Sequence, residues 1–181
     1  SYTPQVIRRN LQTLCTALDV TYDPAEDEAR AQQALRHAKA LLGDTEISID
    51  YTATPAPMSL ARCLIEHGLR VSRIYADSIA AGDLDDFRWL QEHAPDLSLY
   101  ATVEVKLRVL PRRTERPMLA IGQKAAYFTG TRHFVNIVEG GGMYGFDGIC
   151  RLCARIEEAF LTARDPRNYI QQKGLGCESC L

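Results

Sequence analysis

At 181 residues, with 46% hydrophobic and 24% charged side chains, the chain has the size and balance of one globular domain able to bury its own core. A formal charge of -2 and a pI near 6.1 leave no basic surplus for phosphate backbones, which argues against nucleic acid as a partner. Its apolar runs fall short of the ~20 residues of a membrane span, and Ser1-Tyr2-Thr3-Pro4 has no basic-then-apolar export pattern, so a cytoplasmic chain with no membrane partner is expected.

Thr3-Pro4 reads as an N-cap and first-turn pair, and Val6, Ile7, Leu11, Leu14, Cys15 and Leu18 follow at helical spacing. Asp23-Pro24 opens a second helix, whose stripe Ala34, Leu35, Ala38, Leu41 and Leu42 stops at Gly43. From there short strands alternate with helices. Strands are expected at Ile47 to Tyr51, Val71 to Tyr75, Leu97 to Val105, Met118 to Ile121 and Phe134 to Val138. Helices are expected from Met58 to His67, through Leu84, Phe87, Trp89 and Leu90, from Lys124 to Phe128, and from Phe146 to Leu161. Asp83, Asp85 and Asp86 read as a solvated helix start, and Pro111 to Pro117 as a basic loop. Strands separated by helices need crossover connections. The fold class is therefore α/β, a doubly wound, mostly parallel sheet of about five strands, with two leading helices and a closing C-terminal helix.

Ligands of such sheets bind where loops converge beyond the strands. Three loops are candidates: Thr52 to Ser59, Gly130-Thr131-Arg132-His133, and the turn Gly140-Gly141-Gly142-Met143-Tyr144-Gly145-Phe146-Asp147-Gly148. Amides in a glycine run can approach an anion closely, and a helix start adds positive partial charge. The turn is not GxGxxG after a first strand, so a dinucleotide site is not supported. Asp147 fits a helix-start acid as readily as a chemical one. His133 fits an anion or metal ligand, or an ordinary hydrogen-bonded loop residue.

The six cysteines include two CxxC pairs, Cys150/Cys153 and Cys177/Cys180. Together these could form a tetrahedral zinc site or hold an iron–sulfur cluster. The first pair also lies on a helix with Ile149, Leu152, Ile156 and Phe160, where a thiol serves as a small buried hydrophobe. Cys15 and Cys63 fall on apolar helical faces. No Ser-His-Asp or Cys-His set assembles by spacing.

The run Leu119-Ala120-Ile121-Gly122-Gln123-Lys124-Ala125-Ala126-Tyr127-Phe128-Thr129-Gly130, then His133-Phe134-Val135-Asn136, then Tyr144-Gly145-Phe146-Asp147-Gly148, resembles the C-terminal part of nitrogenase component 1-type oxidoreductases. That family covers molybdenum–iron protein subunits, cofactor-assembly scaffolds and protochlorophyllide reductase subunits. Arg70 to Asp77 and Trp89-Leu90 leading to Pro95-Asp96 add to the likeness. The resemblance implies leading helices over 1–44, a Rossmann-like domain over 45–165 and a tail over 166–181. It also implies that the chain is the last domain of a longer subunit, inactive alone. In that subunit it would wall a metal-cluster or tetrapyrrole cavity during ATP-coupled reduction. The implied partners are a homologous subunit and an ATP-dependent reductase protein, and the implied cofactor is an iron–sulfur or mixed-metal cluster held by the full-length protein. Gly130, His133, Gly141, Gly142, Tyr144, Gly145 and Asp147 are the implied cofactor-facing residues. Where the family has a cofactor-ligating histidine, the count falls on Val135, with His133 out of register. A non-catalytic assembly scaffold and a zinc-binding structural domain are the alternatives.

Overall fold

Pro4 in its first turn starts α1 (Pro4–Leu18), and an acidic first turn of Glu26, Asp27 and Glu28 suits the positive end of α2 (Ala25–Leu42). The computed structural model describes residues 1–109 and 116–166. After the leading helices come β1 (Glu46–Asp50), α3 (Pro57–Glu66), β2 (Arg70–Ala76), α4 (Leu84–His93), β3 (Ser98–Ala101), β4 (Met118–Ile121), α5 (Gln123–Thr129), β5 (Phe134–Val135) and α6 (Gly145–Leu161). All pairings are parallel and the order is β3-β2-β1-β4-β5, so the fold is the Rossmann-like, doubly wound α/β sheet that the alternating pattern predicts.

Alternation along the strands sorts side chains into two cores. Ile47, Ile49, Ile74, Leu119, Ile121 and Val135 face the larger one, with Leu35 and Leu42 of α2, Leu60 and Leu64 of α3, and Ile149, Leu152 and Ile156 of α6. Tyr75, Ala120 and Phe134 face the smaller one, covered by Ala125 and Ala126 of α5 and by Leu107. Ile47, Ile49, Ile74, Leu119 and Ile121 are fully buried, each burial contributing roughly 1.5–3 kcal/mol. The chain start belongs to this core. Tyr2 is buried; its N–H donates to Ser59 Oγ (3.0 Å) and its hydroxyl to Thr54 Oγ1 (3.2 Å).

Three sequence expectations are corrected. β3 ends at Ala101, four residues early, because the Glu104 N–H turns back to the Ala101 carbonyl (3.0 Å) and the Glu104 carboxylate accepts from Lys106 N (3.1 Å), starting a 3₁₀ turn at Val105. β5 keeps only two ladder residues. Beyond it the Glu139 N–H bonds Thr52 O (2.7 Å), which draws the chain away from β4 and across to the loop after β1. The aspartates at the start of α4 are not a solvated run, since only Asp85 is exposed. Asp83 is buried and accepts the Met58 and Ser59 N–H groups at 2.8 and 3.0 Å, capping α3 from outside its own segment. Asp86 pairs with Arg62 at 3.1 Å and accepts the Thr3 hydroxyl at 3.4 Å, so Thr3 begins α1 without a side-chain cap bond.

Candidate functional site

The strand order reverses between β1 and β4, and the crevice beyond their carboxyl ends is where this architecture admits ligands. Here a side chain of the protein fills that point. Asp50, the last residue of β1, is fully buried. Its Oδ1 accepts from Thr52 N (2.8 Å), Thr52 Oγ1 (2.5 Å) and Ala53 N (3.1 Å), while Oδ2 accepts from Ala125 N (2.7 Å) in α5. Burial pushes the carboxyl above its ordinary value, and these hydrogen bonds oppose the shift. The arrangement depends on Gly122 after β4. Its backbone has φ +108°, and a Cβ there would lie 2.2 Å from Asp50 Oδ2. Next to it Lys124 Nζ donates to the Tyr51 hydroxyl and lies 4.1 Å from that ring's centroid. Gln123 Nε2 donates to Asn136 Oδ1 (2.7 Å), tying the ends of β4 and β5 together.

The glycine turn lies at the same carboxyl edge, because it follows β5. Glu139 and Gly140, Gly141, Gly142 and Gly145 all adopt positive φ. Glu139 N and Gly140 N donate to Thr52 O (2.7 Å) and Ala53 O (2.6 Å), while Gly141 N and Met143 N donate to Val138 O (3.1 Å) and Gly140 O (2.7 Å). Those four amides therefore close the turn and bind it to the β1 loop instead of opening toward an anion. Tyr144 precedes α6 and donates its hydroxyl to Glu139 O (3.0 Å); Gly140 must lack a Cβ, which would meet that hydroxyl at 2.2 Å. Asp147, in the first turn of α6, pairs with Arg151 at 3.0 Å on the surface. The β1 loop and the turn form one braced lip. It borders a crevice of about 650 Å³ lined by Tyr51, Thr52, Pro55, Pro57, Asp77, Ser78, Ala80, Val138 and Glu139.

Gly141, Gly142, Tyr144, Gly145 and Asp147 thus share this edge. Gly130 and His133 do not, because their loop enters β5 and so lies at the amino edge of the sheet. Gly130 terminates α5 with φ +70°, and His133 Nδ1 donates to the Ala159 carbonyl of α6 at 3.0 Å. Cys153 is buried on α6 and burial pushes its thiol up to about 12; burial raises Cys150 as well. Cys63, on α3, is likewise pushed up to about 12 by burial and by Cys153. Cys177 and Cys180 lie outside the described residues, and among the described residues no three of His, Cys, Asp and Glu form a group that could hold a metal ion.

Sequence reasoning missed Asp50, Tyr51, Gly122 and Lys124 at the switch point and Asp77 and Glu139 on the crevice. The signal was an acid closing an apolar strand and a glycine closing the strand that pairs with it. Reading it requires knowing that β1 and β4 are neighbours.

No family model matches the chain, and no curated protein matches it. Among solved structures it is similar to nitrogenase Cp1 at pH 6.5, with 14% identity and a TM-score of 0.58. That likeness covers 95% of this chain and 40% of the nitrogenase chain, so this chain spans about two fifths of it. At this identity the likeness is one of fold.

Proposed function

We propose that the chain is the last domain of a longer nitrogenase component 1-like oxidoreductase subunit. Its carboxyl edge would supply one wall of a metal-cluster or tetrapyrrole cavity and part of an interface with a homologous subunit. The observation carrying this reading is the braced lip. Two amide–carbonyl bonds, Glu139 to Thr52 and Gly140 to Ala53, fix the glycine turn beside a crevice of about 650 Å³, open at the edge where this architecture receives ligands. The fold likeness over 95% of this chain and 40% of a nitrogenase chain supports the placement within a longer polypeptide.

The crevice residues do not fit the role of cluster ligands. The side chains lining it offer carboxylate and hydroxyl oxygens, whereas iron–sulfur clusters are held by thiolates. The domain is therefore proposed as a wall, with an iron–sulfur or mixed-metal cluster held by other parts of the polypeptide. Electrons would come from an ATP-dependent reductase partner, and the setting would be cytoplasmic.

The test is anaerobic purification of the longer polypeptide, wild type and Ala80→Trp, followed by metal analysis and absorption spectroscopy. The reading expects a bound cluster or tetrapyrrole whose occupancy falls in the variant while its Tm holds. A longer polypeptide with no cofactor, or an Ala80→Trp protein with full occupancy, refutes it. A retained cofactor without ATP-dependent turnover would assign the scaffold role instead.

A further inference from the structure

We infer that the outer edge of β3 is a self-association surface, to which a second copy of this chain adds its own β3, antiparallel, about a two-fold axis at Leu99. The seam runs along the outermost strand of the sheet and is independent of the function proposed above.

β3 ends the strand order β3-β2-β1-β4-β5, so one of its sides has no neighbouring strand. Backbone groups alternate between the two sides of a strand. The Thr102 N–H donates to Ala76 O at 3.0 Å, so Ser98, Tyr100 and Thr102 turn their groups toward β2, and Leu97, Leu99 and Ala101 turn theirs outward. The chain itself consumes two of the outward groups: Leu97 N–H donates to Ala94 O (3.0 Å), and Ala101 O accepts from Glu104 N (3.0 Å). There remain, in chain order, the Leu97 carbonyl, the Leu99 N–H, the Leu99 carbonyl and the Ala101 N–H. None of these four bonds another described residue. The order acceptor, donor, acceptor, donor complements itself when reversed. An antiparallel copy centred on Leu99 joins the two Leu99 residues by two hydrogen bonds, and each Ala101 N–H meets the Leu97 carbonyl of the other copy. No polar group of either edge is left over.

The edge also lacks the usual protection by lysine, proline or charge. Leu97-Ser98-Leu99-Tyr100-Ala101-Thr102-Val103 carries none of these, and Ser98, Leu99, Ala101 and Val103 are exposed. At the opposite side of the sheet the segment after α6 covers the start of β5, where Arg164 N donates to Arg132 O at 2.7 Å. In the Leu99 register Asp96 falls opposite Thr102 and Glu104 opposite Ala94, so no two like charges face each other across the seam. Leu99, 41% exposed, borders an apolar groove of about 420 Å³ with Met58, Phe87, Leu90 and Leu97. The two-fold axis sets the two grooves edge to edge with the Leu99 side chains opposed, so the copy that satisfies the backbone also covers apolar surface. A foreign peptide would meet the same four groups; a second copy is favoured because it brings an identical unprotected edge, and both edges are satisfied at once.

Sedimentation equilibrium of the full chain, reduced and at roughly 100 μM, should give the mass of a dimer. Leu99→Lys sets two ammonium groups against each other on the axis, and Ala101→Pro deletes an outward donor while sparing the bonds to β2. Each should raise the dimer Kd at least about tenfold and keep the native circular dichroism. Register is read by oxidative crosslinking in a background carrying Cys15→Ser, Cys177→Ser and Cys180→Ser. The two Leu99 Cα atoms would lie about 5.5 Å apart, so Leu99→Cys should link to its own copy, whereas Val103→Cys, four residues from the axis, should not. If neither Leu99→Lys nor Ala101→Pro folds, the crosslinking pair decides. A monomeric wild type, a dimer that both edge variants leave intact, or crosslinking of Val103→Cys as readily as Leu99→Cys overturns the inference.

Discussion

Replacing Gly122 by alanine tests whether the switch point is a built element or an incidental contact. The new Cβ would lie 2.2 Å from Asp50 Oδ2 and 2.5 Å from its Cγ, and these atoms belong to a side chain held by four hydrogen bonds. The carboxylate cannot move without abandoning buried donors. At φ +108° and ψ 156° the backbone also occupies a region essentially reserved for glycine, which costs alanine about 1–3 kcal/mol. Disturbing charge-assisted bonds in a buried site adds about 1.5–3 kcal/mol. The sum, about 2.5–6 kcal/mol, corresponds to a Tm lower by roughly 5–24 °C for a chain of this length. Urea and thermal denaturation of the single variants and of Gly122→Ala in an Asp50→Ala background complete a double-mutant cycle. With the carboxylate gone the clash disappears, and only backbone strain should remain, giving a coupling of at least about 1.5 kcal/mol. Additive effects, or a Gly122→Ala protein within about 1 kcal/mol of wild type, would refute the reasoning.

Because burial raises the Asp50 carboxyl above 3.8, the native chain retains a proton that the unfolded chain has released, so stability falls as pH rises from about 3.8 toward the folded value. Tm measured against pH should show that decline in wild type and not in Asp50→Asn. Cys63 and Cys153, with thiols near 12 and buried, hold about one thiolate in ten thousand at pH 8. Mass spectrometry after iodoacetamide should find both unlabelled until the chain is denatured; rapid native labelling would contradict their burial. Within the glycine turn, Gly148→Ala should destabilise most, by about 2–3 kcal/mol, since its Cβ meets the Met143 backbone carbonyl carbon at 2.3 Å. Gly140→Ala has to push the Tyr144 ring aside and break its hydroxyl bond to Glu139 O, and Gly145→Ala meets open space at its Cβ and bears only its positive φ, about 1–2 kcal/mol. A reversed order in denaturation midpoints would show that the turn yields where its packing says it cannot.

The alternation of apolar strands with helical stripes made the parallel sheet legible, because both periods are written locally in the chain. What failed was local hydrophobicity taken as strand. Val103 and Val105 are 74% and 67% exposed, and a carboxylate at Glu104 ends the ladder before they can join it. The aspartates at the start of α4 misled for the opposite reason. Asp83 is buried because its partners, the first amides of α3, lie more than twenty residues away, a distance no local pattern encodes. The glycine turn lies at the carboxyl edge of the sheet as its place after β5 implies, yet the Glu139 and Gly140 amides serve the β1 loop and those of Gly141 and Met143 close the turn on itself. A run of glycines states that the backbone can bend tightly and leaves open whom its N–H groups will meet. The loop before β5 was misassigned to that edge, although strand direction alone assigns Gly130 and His133 to the other.

The pairing of Asp50 with Gly122 also bears on how this sequence can vary. With the carboxylate in place, position 122 tolerates no Cβ. With the carboxylate removed, three amides, two of them buried, lose their acceptor. Neither residue can drift first without loss, so the two are epistatic, and a lineage carrying this acid should carry this glycine with it. The same linkage is a ratchet: a descendant that recruited a phosphate to the switch point would have to surrender both residues together.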